Sequence, residues 1–532
     1  MTDKKNKVSI PRSLFISIIL IFVTSLLLIV QKNLFRNSRL NDFQTKIYRH
    51  FDTPARSFDK NSLWLQELID VEPKIENEHR ESNFKYNYAP QNHKKVIPFY
   101  VYNTPETNWI QTCNKTLQQR VILRKPDNHL DFHADDIVFA SKIFSHPWRV
   151  FDIEEAEIFI VPALLGWYCM EQRRHQADDV ICENNNDDLT GPISLPKLVN
   201  KTADFLNWDR KAVYFRKQNK YKTHLMVAGH WTMTGHFDLC FRDNPDMALI
   251  LKKMTVGHFE SLYSINYNTG YNYRKIEKPN WRCTIIVPYV DWPFASFTQL
   301  ESKILTFENW KTRPIDLFFV GRIYRDYGYS EQAYQIRRYF SQNLNRTENS
   351  NSNLTYIFAE NDKHYKIPSC NYTDCTQKLK CSDCYFDDKL QKEYKNLGIK
   401  SKYALIIHGD TSSTSRLYDA ITNGQIPIII SNTIFSEGLP FVFQVPWLDV
   451  VFFVPNNLQE NILNNKNDTE KQIFTHETIF DMTTNLLINL PEYLLEQKFR
   501  KLLEIRDQVS WLHPNSKVIN NILNDAYFNC RL

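Results

Sequence analysis

Between Lys402 and Pro455 the chain reads KYALIIHGDTSSTSRLYDAITNGQIPIIISNTIFSEGLPFVFQVPWLDVVFFVP, and its residue types are spaced for chemistry. The apolar run Tyr403–His408 predicts a buried strand that leads into Gly409-Asp410-Thr411-Ser412-Ser413. A helix is expected from about Thr414 to Asn423, with the hydroxyls at 411 to 414 as N-cap candidates and Gly424 as the C-terminal cap. A second buried strand, Ile426–Ile430, follows directly. In an open α/β sheet, ligands bind beyond the carboxyl ends of strands, where amides at a helix N-terminus attract phosphate. Arg416 in the first turn is a forked donor suited to a diphosphate. Asp419, three residues on, lies on the same face roughly 5 Å along the axis. That matches the span from a diphosphate to the ribose hydroxyls of one nucleotide. Arg416 is therefore expected on phosphate and Asp419 on ribose, with Ser412 and Ser413 as further donor-site hydroxyls. The competing reading is a capped helix whose Arg and Asp pair at the surface.

Two more arginines, Arg322 and Arg325, follow the apolar run Ile315–Val320. A strand end there faces the same cleft, so both are candidates for the donor phosphate, against charge pairing with Asp316 or Asp326. A reaction that takes a proton from a hydroxyl needs an acceptor within hydrogen-bond reach. His230, closing the segment Ala228-Gly229-His230-Trp231, and Asp291, in Val290-Asp291-Trp292-Pro293, are the catalytic candidates. No Asp-x-Asp occurs in the chain, so the sequence implies no metal-held donor and leaves the metal requirement open. Cys370, Cys375, Cys381 and Cys384 admit a zinc knot or two disulfides, and an oxidising compartment favours disulfides.

The stretch from Gly409 resembles the C-terminal signature of the exostosin-type glycosyltransferases, family 47. That pattern runs roughly G-D-T-x-S-S-R-L-x-[DE]-A-I-x-x-G-C-I-P-V-I, then L-P-F and a Trp. Gly409, Asp410, Thr411, Ser413, Arg416, Leu417, Asp419, Ala420, Ile421, Gly424, Ile426 and Pro427 match it, followed by Leu439-Pro440-Phe441 and Trp447. Gln425 stands where the family usually has Cys, and Ile428 where it has Val. Upstream, Phe99-Tyr100-Val101-Tyr102, Ala156–Pro162, the segment from His224 and Leu317–Arg322 resemble further family elements in the same order. Trp231 departs from the Asp often found after the His. The resemblance implies a two-domain GT-B fold, a UDP-sugar donor as co-substrate and transfer to a glycan or glycoprotein acceptor with inversion. The alternative it leaves is a catalytically silent partner subunit or glycan-binding module. A homo- or hetero-dimer with a related transferase is compatible with either.

The elements that must position these residues are read from apolar runs alternating with helical stretches. The runs are Val96–Tyr102, Ala156–Leu165, His224–Gly229, Thr284–Val290, Ile315–Val320, Leu354–Ala359, Tyr403–His408, Ile426–Ile430 and Val450–Val454. Runs apolar on both faces suit buried parallel strands, so the expected class is α/β with two facing doubly wound, Rossmann-type domains. The expected division is a tail at 1–13, an anchor at 14–30 and a stem at 31–95. An acceptor-side domain at 96–300 and a nucleotide-sugar-binding domain at 301–532 follow.

Bulk composition is consistent with this. Hydrophobic residues make up 42% of the 532, enough for large cores, and the net charge of +5 is too balanced to suggest nucleic acid. Leu14–Val30 is uncharged and, as a helix, spans roughly 25 Å, enough for a thin bilayer. Residues 31–36 offer no small-residue cleavage site, which favours a retained type II signal-anchor over a cleaved signal peptide. All ten cysteines follow the anchor, as do candidate glycosylation sites at Asn114, Asn200, Asn345, Asn353, Asn371 and Asn467. The expected location is the Golgi or endoplasmic reticulum membrane, with the catalytic part luminal.

Overall fold

The computed structural model describes residues 96–102, 134–174, 195–216, 222–230, 233, 240–260, 281–321, 323, 331–347, 356–359, 388–408, 413–431, 434, 438–454 and 475–530. The anchor at 14–30, the stem at 31–95 and the cysteines at 370–384 lie outside them. Among the described residues no helix is long and apolar enough to cross a membrane.

The protein is α/β with two all-parallel sheets. The first is ordered β2-β1-β3-β4-β5-β6, from β1 (Phe99–Val101), β2 (Arg149–Val150), β3 (Ile158–Ile160), β4 (Thr223–Val227), β5 (Thr255–His258) and β6 (Cys283–Ile286). The second is ordered β11-β10-β9-β7-β8, from β7 (Ile315–Val320), β8 (Tyr356–Ala359), β9 (Ser401–Ile407), β10 (Ile426–Ile430) and β11 (Phe452–Val454). Their central strands are apolar and closed to solvent on both faces: β10 is Ile-Pro-Ile-Ile-Ile with every residue buried. Helix-covered parallel sheets demand this composition, and it is why these strands are legible as continuous runs. In register, Ile428 stands beside Leu405 on one side and Phe452 on the other.

The helices that matter below are α1 (Asp135–Ile143), α2 (Leu165–Arg174), α3 (Leu195–Trp208), α4 (Pro245–Leu251), α5 (Glu331–Thr347), α6 (Asp388–Ile399), α7 (Ser415–Thr422), α8 (His476–Asn489), α9 (Glu492–Val509) and α10 (Val518–Asn529). Helix α9 packs beneath α7 and β10, whereas α10 returns to the first sheet and lies against β3, β4 and β6. A disulfide between Cys283 and Cys530 ties β6 to the end of α10. The division expected at 300/301 therefore needs correction: its last helix belongs with the first sheet. The cause is packing, since α10 buries Val518, Ile522, Leu523 and Ala526. A second disulfide, Cys169–Cys240, staples α2 to the chain ahead of α4.

The chain changes sheet within 287–314, and this connection is sewn to α7. Asp419 Oδ1 accepts the Trp292 amide at 2.7 Å, Asn423 Oδ1 accepts the Phe294 amide at 2.6 Å, and Asn423 Nδ2 donates to Trp292 O at 2.8 Å. The C-terminus of α7 is closed by Gly424 at φ 68°, a left-handed position that glycine takes without penalty. Arg313, 6% exposed, donates Nη1 to Ser401 O and Gly424 O, each at 2.8 Å, and Nη2 to Asn423 O at 3.3 Å. Burial lowers its pKa to about 9, still well above neutrality, so it stays a cation among helix-end carbonyls.

Arg313→Met keeps the apolar stem but orphans those buried carbonyls. It is expected to destabilise the protein by about 2–4 kcal/mol, read as a lower urea midpoint at unchanged slope.

Candidate functional site

Sheet two carries the strand order 2-1-3-4-5 when its strands are numbered from β7. Successive connections therefore leave in opposite directions between β7 and β9, and a crevice opens above their carboxyl ends. Arg416, in the first turn of α7, fills that crevice. Its Nε donates to Val320 O at 2.5 Å, Nη1 donates to Thr414 Oγ1 at 3.1 Å, and the guanidinium lies 5.4 Å from the Phe319 ring centre. Gly321 makes the approach feasible, because a Cβ there would strike Nη2. Burial lowers the Arg416 pKa, offset in part by Tyr394 and Asp419. Among the described residues it forms no ion pair within 4 Å, and its hydrogen bonds go to the neutral oxygens of Val320 and Thr414. The surface-pair reading of Arg416 and Asp419 is thereby excluded.

Asp419 is 3% exposed and lines the same small cavity as Arg416, together with Tyr394 and Gln425. Its bond to the Trp292 amide builds it into the connection between the sheets. Accepting a ribose hydroxyl would have to be shared with that role. The loop into α7 is shaped by Arg337 of α5, whose Nη2 donates to Ile407 O at 2.9 Å and His408 O at 2.8 Å. Thr414 is the N-cap, yet its hydroxyl accepts from Arg416 rather than from the helix amides, leaving the first turn of amides without that side-chain bond.

Facing α7 are the strand ends of the first sheet. Glu260, two residues past β5 and 2% exposed, accepts Ser413 Oγ–H at 2.8 Å. The Tyr289 hydroxyl lies 3.4 Å from the same oxygen of Ser413. Gly438 presses against Ser413 from the other side, where a Cβ would sit 3.1 Å from its backbone nitrogen. Burial lowers the His258 pKa to about 4, so the ring is neutral. Its Nδ1 lies 3.3 Å from the Glu260 amide nitrogen and 3.2 Å from the Glu260 carbonyl oxygen, and its Nε2 lies 3.3 Å from His230 O. One ring thus fixes both strand ends, at His230 after β4 and Glu260 after β5.

Behind them sit two adjacent carboxyl groups at the start of α1. Asp135 Oδ2 accepts the Gly229 amide at 2.8 Å, and Asp136 Oδ2 accepts the Trp167 amide at 3.0 Å. Desolvation, with Asp136 beside it, raises the Asp135 pKa well above the carboxylate range. Desolvation raises Asp136 to about 7 against its backbone hydrogen bonds. Near neutral pH the pair therefore holds protons that an exposed pair would release.

Of the residues expected from sequence, the structure brings Arg416, Asp419 and Ser413 to the space between the sheets, and it buries His230 just past the end of β4. Ser412, Arg322 and Arg325 lie outside the described residues. Asp291 does not belong in the site as a base. It is 0% exposed, and it accepts Ser510 Oγ at 2.6 Å, Thr422 Oγ1 at 2.8 Å and the Leu512 amide at 3.2 Å. Its carboxylate is a knot tying the connection to α7 and the chain after α9. Among glycosylation candidates, Asn200 is exposed on α3 and Asn345 falls on α5, while the others lie outside the described residues. Among the described residues no three His, Cys, Asp or Glu side chains are grouped to hold a metal. Glu260, Asp135 and Asp136 were not singled out from the sequence. The available signal was a carboxylate closing Thr255-Val256-Gly257-His258-Phe259-Glu260, a run whose Thr, Gly and His disguise a buried strand.

Residues 93–467 match the family model described as the Exostosin GT47 domain. No curated protein matches the chain. Among solved structures, the chain is similar to the GtfA/B complex at 12% identity, covering 66% of this chain and 65% of that one, with a TM-score of 0.29. It is similar to a glycosyltransferase from Rickettsia africae ESF-5 at 10% identity, covering 82% and 100%, with a TM-score of 0.30. A third is an S. aureus MnaA–UDP co-structure at 10% identity, covering 81% and 96%, with a TM-score of 0.27.

The raised Asp136 pKa has a thermodynamic consequence. A carboxyl group whose folded pKa lies above its unfolded value stabilises the fold below pH ~4, and that stabilisation is lost as pH rises through about 7. Asp136→Asn should flatten this fall between pH 4 and 7, measured as unfolding midpoints across pH. A parent and variant with parallel profiles would show that Asp136 ionises normally.

Proposed function

The chain belongs to the exostosin GT47 family, and we propose that it is a glycosyltransferase moving a hexosyl or pentosyl unit from a UDP-sugar to a glycan or glycoprotein with inversion. The observation that carries this reading is Arg416. It is a desolvated cation whose hydrogen bonds among the described residues go to neutral oxygens, held at the switch point of a parallel sheet and beside a helix N-terminus. That combination suits a diphosphate in charge, geometry and hydrogen-bond supply.

In this reading the two sheets form a GT-B-like pair. The side from 301 onward, without α10, takes the nucleotide sugar, and the 96–300 side takes the acceptor. As the acceptor hydroxyl attacks the anomeric carbon, the bond to the diphosphate breaks and its electron pair leaves with UDP. Arg416 and the amides of α7 then stabilise the charge that develops there. The acceptor proton goes to a group on the first-sheet side, where His230 is the residue expected from sequence. We further propose a single-pass type II protein anchored by 14–30, with its catalytic part in the lumen of the Golgi or endoplasmic reticulum. The bonded pairs Cys169–Cys240 and Cys283–Cys530 support an oxidising compartment.

Calorimetry with UDP on the full-length protein tests the donor site. Arg416→Ala is expected to weaken UDP about 10- to 150-fold, corresponding to about 1.5–3 kcal/mol, with folding intact. Arg416→Lys should recover only part of this, because an ammonium lacks the fork. Asp419→Asn should lose less, since its amide oxygen still accepts from Trp292 or ribose. Gly321→Ala, which pushes the guanidinium aside, should mimic Arg416→Ala without touching a ligand. Parental UDP affinity in all four variants would place the donor elsewhere. A parent that binds UDP but releases none from any UDP-sugar would be the silent partner subunit instead.

A further inference from the structure

Glu260 lies at the mouth of the first sheet and touches the loop that opens the donor helix. Its carboxylate accepts the Ser413 hydroxyl at 2.8 Å, and Ser413 stands three residues before Arg416. The backbone at Glu260 is fixed by neutral His258, which also holds the carbonyl of His230. The Tyr289 hydroxyl completes the cluster beside Ser413. Burial and Glu260 itself raise the Tyr289 pKa well above its usual value, so the phenol stays protonated beside the acid.

We propose that Glu260 is the catalytic base, taking the proton of the acceptor hydroxyl; this rests on the donor site at Arg416. Ser413 has one hydroxyl proton and can give it to Glu260 or to a donor phosphate, not to both. Binding of the diphosphate at the start of α7 therefore draws the Ser413 proton away from the carboxylate, on the side of the cleft where the phosphate carries its sugar. The arriving anion also raises the proton affinity of Glu260. In the step itself, the acceptor O–H proton moves to a Glu260 oxygen. The freed oxygen pair forms the new bond to the anomeric carbon, and the old carbon–phosphate-oxygen pair departs on UDP. His230, 3% exposed and held through its carbonyl, acts as a positioning residue on the same wall.

The substitution Glu260→Gln separates chemistry from packing. Its amide oxygen can still accept from Ser413 and keep the link between the halves, but it cannot take a proton. Full-length parent and Glu260→Gln are compared for UDP affinity and for UDP release from a panel of UDP-sugars, with water and mixed oligosaccharides as acceptors. The expected result is UDP affinity within about threefold of the parent and a rate reduced about 100-fold or more. The residual rate should lack the acidic limb of the parent pH profile, and added formate should raise the rate of Glu260→Ala at least about tenfold. Glu260→Gln retaining more than a tenth of the parent rate overturns the assignment. So does a variant that loses UDP binding along with activity, since that marks Glu260 as part of the donor wall. A parent that binds UDP but releases none also overturns it. A parent that fails to bind UDP fails the donor reading instead, which is a separate outcome.

Discussion

Helix α7 is held at every level, and the geometry of the molecule follows from how it is held. At its start, Arg416 reaches sideways to the end of β7, and Ser413 reaches across to Glu260 in the first sheet. In its middle, Asp419 and Asn423 clasp the backbone of the connection between the sheets. At its end, Gly424 turns the chain and Arg313 covers the carbonyls. Asp291 adds a third contact through Thr422 and passes the constraint to Ser510. One eight-residue helix thus touches both sheets and the connection between them. Its orientation cannot change without breaking buried hydrogen bonds, each of which is costly to leave unmade.

A common physical pattern runs through these contacts. Arg313, Arg337 and Asp419 are buried and Arg416 half-buried, and the hydrogen bonds that fix them run mainly to backbone groups rather than to opposite charges. A buried ion pair satisfies itself and constrains little else. A buried ion held by backbone carbonyls or amides fixes the course of the chain at each contact. The ends of β7, β9 and α7 are indexed in this way. Such rigidity suits a site that must present a helix N-terminus and a guanidinium together before any ligand arrives.

Much of this was legible in the sequence where burial acts on both faces of a strand. β7 and β10 coincide with the apolar runs at 315–320 and 426–430, because a helix-covered parallel strand leaves polar side chains no room. The short edge strand β2 and the polar-looking β5 escaped that criterion: one has two residues, and the other is Thr-Val-Gly-His. Missing β5 also hid Glu260. Its neighbour Gly257 is packed between Val227 and Val287, so the strand is central despite its composition. Asp291 shows the converse failure: an acidic residue near a predicted junction invites a catalytic reading, and only tertiary packing shows that Thr422, Ser510 and Leu512 claim it. The return of α10 to the first sheet was illegible for the same reason, since a helix's apolar stripe does not say which sheet it will cover.

Amide hydrogen exchange of the full-length protein with and without UDP tests the central claim, that the nucleotide sits above β7 and β9. The account expects UDP to slow exchange in peptides covering 318–321 and 407–420, with a weaker effect at 258–260 where Ser413 and Glu260 meet. Protection confined to other segments, with 407–420 unchanged under saturating UDP, would contradict it.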